Sequence, residues 1–147
     1  MRGSSAPILK DMSRMISMGK RNRKVSLVVS AHERQESLRA LRAAFLETHK
    51  HCLLIVSQSV SEDFPRNGEN TPELMAMVLA CAQISQSAST LIQIDSEHLL
   101  SFLASCIEIC RSTAEACDVA GLEGCRAACL ESAEKCSLFL NGPSMPL

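Results

Sequence analysis

Six cysteines fall in one short stretch, as two copies of the same spacing: Cys106, Cys110, Cys117, then Cys125, Cys129, Cys136. Each member of the second set lies nineteen residues after its counterpart. At about 100° per residue, helical steps of four and eleven residues return to within ~40° of their start. Each set therefore makes a stripe of sulfur along one helix face. Gly121 and Gly124 lie between the sets, where one helix can stop and the next begin. The spacing predicts an antiparallel helical hairpin with facing sulfur stripes, Cys117 near Cys125 and Cys106 near Cys136. Thiolates one helical turn apart can grip a soft ion. Cu(I) takes two or three sulfurs, so a C-x3-C pair nearly suffices. Zinc prefers four ligands from C-x2-C knuckles, and iron–sulfur clusters need loop spacings; neither pattern is present.

Against this stands simple packing, since cysteine is a small hydrophobe at home in helical cores. A disulfide scaffold fits less well, because such chains are usually small and loop-rich. Cysteines four apart on one helix also suit that bond poorly. Cys81 and Cys52 fall on the inward stripes of two further helices and are lesser candidate ligands. Among the histidines, His49 is the best candidate for an imidazole contribution, ahead of His51 and His98.

The elements that must position these residues follow from the rest of the chain. Its 147 residues suit one domain, and 46% hydrophobic content supports a core. Aromatics are only 3%, so the core is built from Leu, Ile, Val, Ala, Cys and Met, a composition of packed helices. A first long helix is expected over 31–60, with Leu38, Leu41, Phe45, Leu46, Leu53 and Val56 on its inner face. Residues 61–70, with Pro65, Asn67 and Gly68, form a loop. Thr71 caps a second helix that starts at Pro72 and reaches Ile94, with Cys81, Ser85, Ala88 and Ile92 inward. Leu74 to Ile94 has no charge, but its Gln, Ser and Thr residues make it too polar for a lone membrane span. Asp95 or Ser96 caps a third helix ending near Ala120. Leu122 or Glu123 opens a fourth, which stops at Asn141-Gly142-Pro143. The prediction is an all-α chain: an antiparallel up-down four-helix bundle over 31–141, a basic N-terminal extension over 1–30 and a tail over 142–147.

The extension concentrates Arg2, Lys10, Arg14, Lys20, Arg21, Arg23 and Lys24 against Asp11 alone. With no stacking aromatics nearby it reads as a solvated arm, and no nucleic-acid partner is expected. Met12, Met15 and Met18 follow helical spacing, ordinary packing for a short helix ending at Gly19. Val25 to Val29 is too short for an export signal, so the expected location is cytoplasmic. Homo-oligomerisation is left open. Catalysis finds no motif: no Gly-rich phosphate loop, no nucleophile elbow, and no Glu-x-x-His. Glu108, Glu115, Glu131 and Glu134 fit solvated helix faces. The chain is expected not to be an enzyme.

Four segments carry a family resemblance: MVLACAQIS (Met77–Ser85), SCIEICRSTAEAC (Ser105–Cys117), CRAACLESAEKC (Cys125–Cys136) and, more weakly, ETHKHC (Glu47–Cys52). Over Leu41 to Leu140 the chain resembles the copper storage proteins, four-helix bundles whose cores are lined with cysteines that bind many Cu(I) ions. The resemblance implies a Cu(I)-binding bundle, with copper ions as its partner. The chain departs from the family at Phe45, Thr48, Ser85, Leu103, Thr113 and Ser132, where members usually carry cysteine. The resemblance thus implies copper storage or buffering at reduced capacity. Two alternatives stand beside it. One is a degenerate bundle with a structural or protein-interaction role and no metal. The other is a thiol redox or zinc-binding protein.

Overall fold

The computed structural model describes residues 20–59 and 71–142. The expectations for Met12, Met15, Met18 and Gly19, for the loop at 61–70 and for Pro143 onward lie outside these residues. Among the described residues the chain is helical, without strands: α1 (Lys20–Gln58), α2 (Thr71–Gln93), α3 (Leu99–Ala120) and α4 (Glu123–Asn141). The chain divides into two compact units, Met1–Ser37 and Leu38–Leu147. In the first, residues 30–37 are exposed helix. The second holds the core.

Each helix presents a buried stripe that advances by three and four residues. On α1 it runs Leu38, Leu41, Phe45, Thr48, Cys52, Ile55; on α2, Val78, Cys81, Ser85, Ala88, Ile92. On α3 it runs Leu99, Leu103, Cys106, Cys110, Thr113, Cys117, Ala120; on α4, Cys125, Cys129, Ser132, Cys136. This alternation keeps a seam turned inward, as in bundles whose side chains interlock between helices. Contacts along the helices fix their senses. Arg42 Nη2 donates to Gln93 Oε1 at 3.2 Å, and His49 pairs with the Ala82 carbonyl at 2.8 Å, so α1 and α2 run oppositely. Thr48 meets Ser132, and Cys52 meets Cys125, so α1 and α4 do too.

The predicted turn between the sulfur stripes is present. Gly121 takes φ 77°, where a side chain would be strained. Its N–H bonds the Asp118 carbonyl at 3.2 Å, and the Leu122 N–H bonds the Cys117 carbonyl at 2.8 Å. This paired closure satisfies the last carbonyls of α3. Arg126 spans the turn, reaching Glu123 at 2.9 Å and Asp118 at 3.4 Å.

Three features differ from expectation. α1 begins at Lys20, eleven residues before 31, because the basic stretch contains no Gly or Pro to interrupt it. Asp95 does not cap α3. It sits at φ 53° as the left-handed stop of α2, while the Ser96 N–H bonds the Leu91 carbonyl at 3.0 Å. Ser96 Oγ accepts from the His98 N–H at 3.1 Å, one residue short of the first helical position of α3, Leu99. On α1 the inner face holds Cys52 as expected but is offset at its leucines: Leu46 and Leu53 are 41% and 44% exposed, and Thr48 takes a core position.

Pro72–Gln93 is the one described helix with the length and mean hydropathy to cross a membrane. Its apolar stripe is buried inside the bundle, as in a core helix.

Candidate metal centre

All eight cysteines are buried and free. Their sulfurs are unevenly distributed. Cys52 on α1 lies 3.6 Å from Cys125 on α4, Cys81 on α2 lies 3.7 Å from Cys129 on α4, and Cys125 and Cys129 are 4.0 Å apart. The sulfurs of Cys52, Cys125 and Cys129 all lie within 4.8 Å of one another. A point equidistant from three sulfurs so spaced is roughly 2.2–2.5 Å from each, which brackets the metal–thiolate bond length of about 2.3 Å seen for zinc. Three helical turns thus supply a trigonal thiol set, and three thiols are a full complement for Cu(I). Cys52 and Cys81, expected as lesser contributors, each contact a sulfur of α4.

The thiols polarise each other. Hydrogen bonds from Cys110, then Cys129 and Cys52, hold the Cys81 thiol well below the usual range. Those from Cys117, then Cys129 and Cys52, do the same for Cys125. Their partners are pushed up: Cys117, Cys129 and Cys52 chiefly by hydrogen bonding to Cys125, and Cys110 by hydrogen bonding to Cys81. These six thiols form one connected group at the α3–α4 turn end of the bundle. Cys106 and Cys136 stand apart from it. Each is pushed up to about 12, chiefly by burial, and each feels the other or Cys81 only through charge.

Hydroxyls interrupt the sulfur stripes. Thr48 Oγ1 donates to the Ala128 carbonyl at 2.9 Å, so the 2.7 Å contact with Ser132 Oγ has Ser132 as donor. Thr113 Oγ1 donates to the Ile109 carbonyl at 2.8 Å. Ser85 Oγ is buried without a hydrogen-bond partner. Phe45, Thr48, Ser85, Leu103, Thr113 and Ser132 are all at 0% exposure. Each therefore occupies a core position in line with the cysteines.

His49 Nδ1, facing the Ala82 carbonyl at 2.8 Å, must carry its proton there, which leaves the lone pair on Nε2. No histidine belongs to the three-sulfur set. His51 is half-buried, with Nε2 3.5 Å from Glu47 and its ring against Gly124, whose missing Cβ would come within 3.3 Å of it. His98 is exposed beside Glu97. The four glutamates Glu108, Glu115, Glu131 and Glu134 are exposed, as their placement in the sequence suggested. The core position of Thr48 on α1 was legible only through the three-and-four alternation that links Phe45, Thr48 and Cys52.

A family model, Csp (copper storage protein), matches residues 34–141. No curated protein and no solved structure matches the chain. The match spans all four helices and every cysteine, and its limits fall close to those of the bundle itself. Buried free thiols, a four-helix frame and this match agree: the chain belongs to the copper storage protein family.

Proposed function

We propose that the chain binds Cu(I) through cysteine thiolates inside the bundle and serves as a copper store or buffer of reduced capacity. The observation that carries the reading is the Cys52–Cys125–Cys129 triangle, a soft, buried set with the dimensions of a trigonal thiolate site. Soft sulfur selects a monovalent copper ion over harder cations. Loading displaces thiol protons, so uptake releases acid. The six connected thiols take the first ions, with Cys81, Cys110 and Cys117 as ligands around the triangle. Cys106 and Cys136 make a second, two-sulfur position. His49 offers Nε2 at the margin of the group. The chain acts as a binder rather than a catalyst, in the cytoplasm, with copper ions as its partner.

Copper titration of the reduced, anaerobic protein against a competing chelator tests this. Several tight equivalents are expected. None would favour the second reading, a bundle with a structural or interaction role. That reading draws on the six core positions that hold hydroxyl, Phe or Leu, none of which is a useful Cu(I) ligand.

A further inference from the structure

Among the described residues, the sulfur pairs Cys52–Cys125, Cys81–Cys129 and Cys125–Cys129 lie within 4.0 Å, and they differ in what bonds they allow. Cys125 and Cys129 sit one turn apart on α4, where their Cα–Cβ bonds point the same way and a disulfide is strained. Cys52–Cys125 and Cys81–Cys129 face each other across helices, at 3.6 and 3.7 Å. Bringing either pair to bonding distance requires closing about 1.6 Å, within reach of a small side-chain rotation. The two pairs share no cysteine, so both bonds can form in one molecule. Together they take every member of the trigonal set, and Cys81 as well.

We propose that these two cross-helix pairs are sites of reversible oxidation by hydroperoxides, forming Cys52–Cys125 and Cys81–Cys129 disulfides. The chemistry closes without a further reagent. A thiolate attacks one peroxide oxygen, the O–O bond breaks, and hydroxide leaves to become water with the displaced proton. The resulting sulfenic acid is attacked by the facing thiol, which expels a second water and leaves the S–S bond. Each pair gives up two electrons to one peroxide. The four sulfurs are at most 2% exposed, which selects the oxidant class. Hydrogen peroxide is scarcely larger than water and can reach them through small fluctuations, whereas a bulky disulfide reagent cannot. The consequence for metal follows only if the copper reading holds: oxidation removes half of the eight thiols, including the whole triangle.

The test is disulfide mapping of the full chain, copper-free and reduced, after graded additions of hydrogen peroxide under native conditions. Alkylation, digestion and mass spectrometry then identify the links. Cys52–Cys125 and Cys81–Cys129 are expected to form first, at two peroxides per chain, while oxidised glutathione at the same concentration reacts far more slowly. In Cys52→Ser the first link is lost and the second remains. Oxygen replaces sulfur there with little change in volume, and unchanged helical circular dichroism verifies the fold. Links between Cys117 and Cys125, Cys81 and Cys110 or Cys106 and Cys136 in their place overturn the assignment. So do sulfinic acids without cross-links, or thiols inert to peroxide. Mapping needs no copper, so its failure is distinct from a failure to bind metal. In a chain that does bind copper, Cu(I) capacity should fall to half or less on oxidation and return with a dithiol. Undiminished capacity with both links formed would overturn the coupling.

Discussion

Ser132 donates its hydroxyl proton to Thr48 at 2.7 Å, in the fully buried seam between α4 and α1. Thr48 passes its own proton to the Ala128 carbonyl, so the two hydroxyls form a closed chain. Thr48→Val strands the Ser132 hydroxyl, whereas Ser132→Ala removes its bond to Thr48 and leaves Thr48 on the Ala128 carbonyl. Ser132→Ala and Thr48→Val are each expected to cost about 1–2 kcal/mol in urea unfolding. The double variant should cost less than the sum, with a coupling of about 1 kcal/mol. Additive effects would show that the pair does not act as a unit.

The same two positions bear on capacity. Thr48→Cys with Ser132→Cys would place two more thiols in contact, beside Cys52 and Cys129. Copper bound per chain is expected to rise by about one equivalent, since two sulfurs suffice for Cu(I). Chelator competition measures it, and an unchanged stoichiometry would count against a continuous sulfur ladder.

Ser85 presents the opposite case, a buried hydroxyl with nothing to bond. Ser85→Ala removes an unsatisfied group at little loss of volume. The variant is expected to be more stable by about 1 kcal/mol, seen as a higher midpoint of denaturant unfolding. A loss of stability would mean that the hydroxyl has a partner in solution.

Alkaline pH should destabilise the metal-free protein. Cys106 and Cys136 hold their protons up to about 12 in the fold, against an ordinary thiol value of 9.0. Above that ordinary value the unfolded chain has lost protons that the native chain retains. Their contribution is therefore full below about pH 9 and is lost as pH rises toward about 12. Two such protons give a slope of up to roughly 2.7 kcal/mol per pH unit. The Cys106→Ala, Cys136→Ala variant should flatten that limb of the stability curve in anaerobic unfolding.

Cys129 touches both Cys81 and Cys125, whereas Cys136 belongs to the separate pair. Cys129→Ser is expected to lower copper affinity at the first equivalents by tenfold or more. Cys136→Ser should affect only the last. Equal effects in chelator competition would contradict the division into a group and a pair.

The α3–α4 hairpin was legible in the sequence because its evidence is local: repeated spacing on each side of a glycine turn. The Cys117–Cys125 neighbourhood follows from the turn alone. The contacts of Cys52 and Cys81 with α4 sulfurs were not legible, because their partners are 73 and 48 residues away. Only packing sets that register. Hydrophobicity also misled on α1, where Leu46 and Leu53 outrank Thr48 on any apolar scale yet lie outside. The three-and-four stripe puts Thr48 in the core, and Ser132 with Ala128 satisfies its hydroxyl. Asp95 is a frequent helix-capping residue, and nothing local distinguishes its role as a left-handed stop from a cap on the next helix.

The tight Gly121 turn also sets a sequence of assembly. Six of the eight thiols lie within 31 residues, on two helices joined by a two-residue connection. Closing such a loop loses little chain entropy, and contacts near in sequence form fast. The hairpin carrying Cys125 and Cys129 is therefore the early part of the site during folding. Cys52 must arrive from 73 residues away. The triangle closes only when α1 docks, and undocking α1 opens it while the hairpin stays intact.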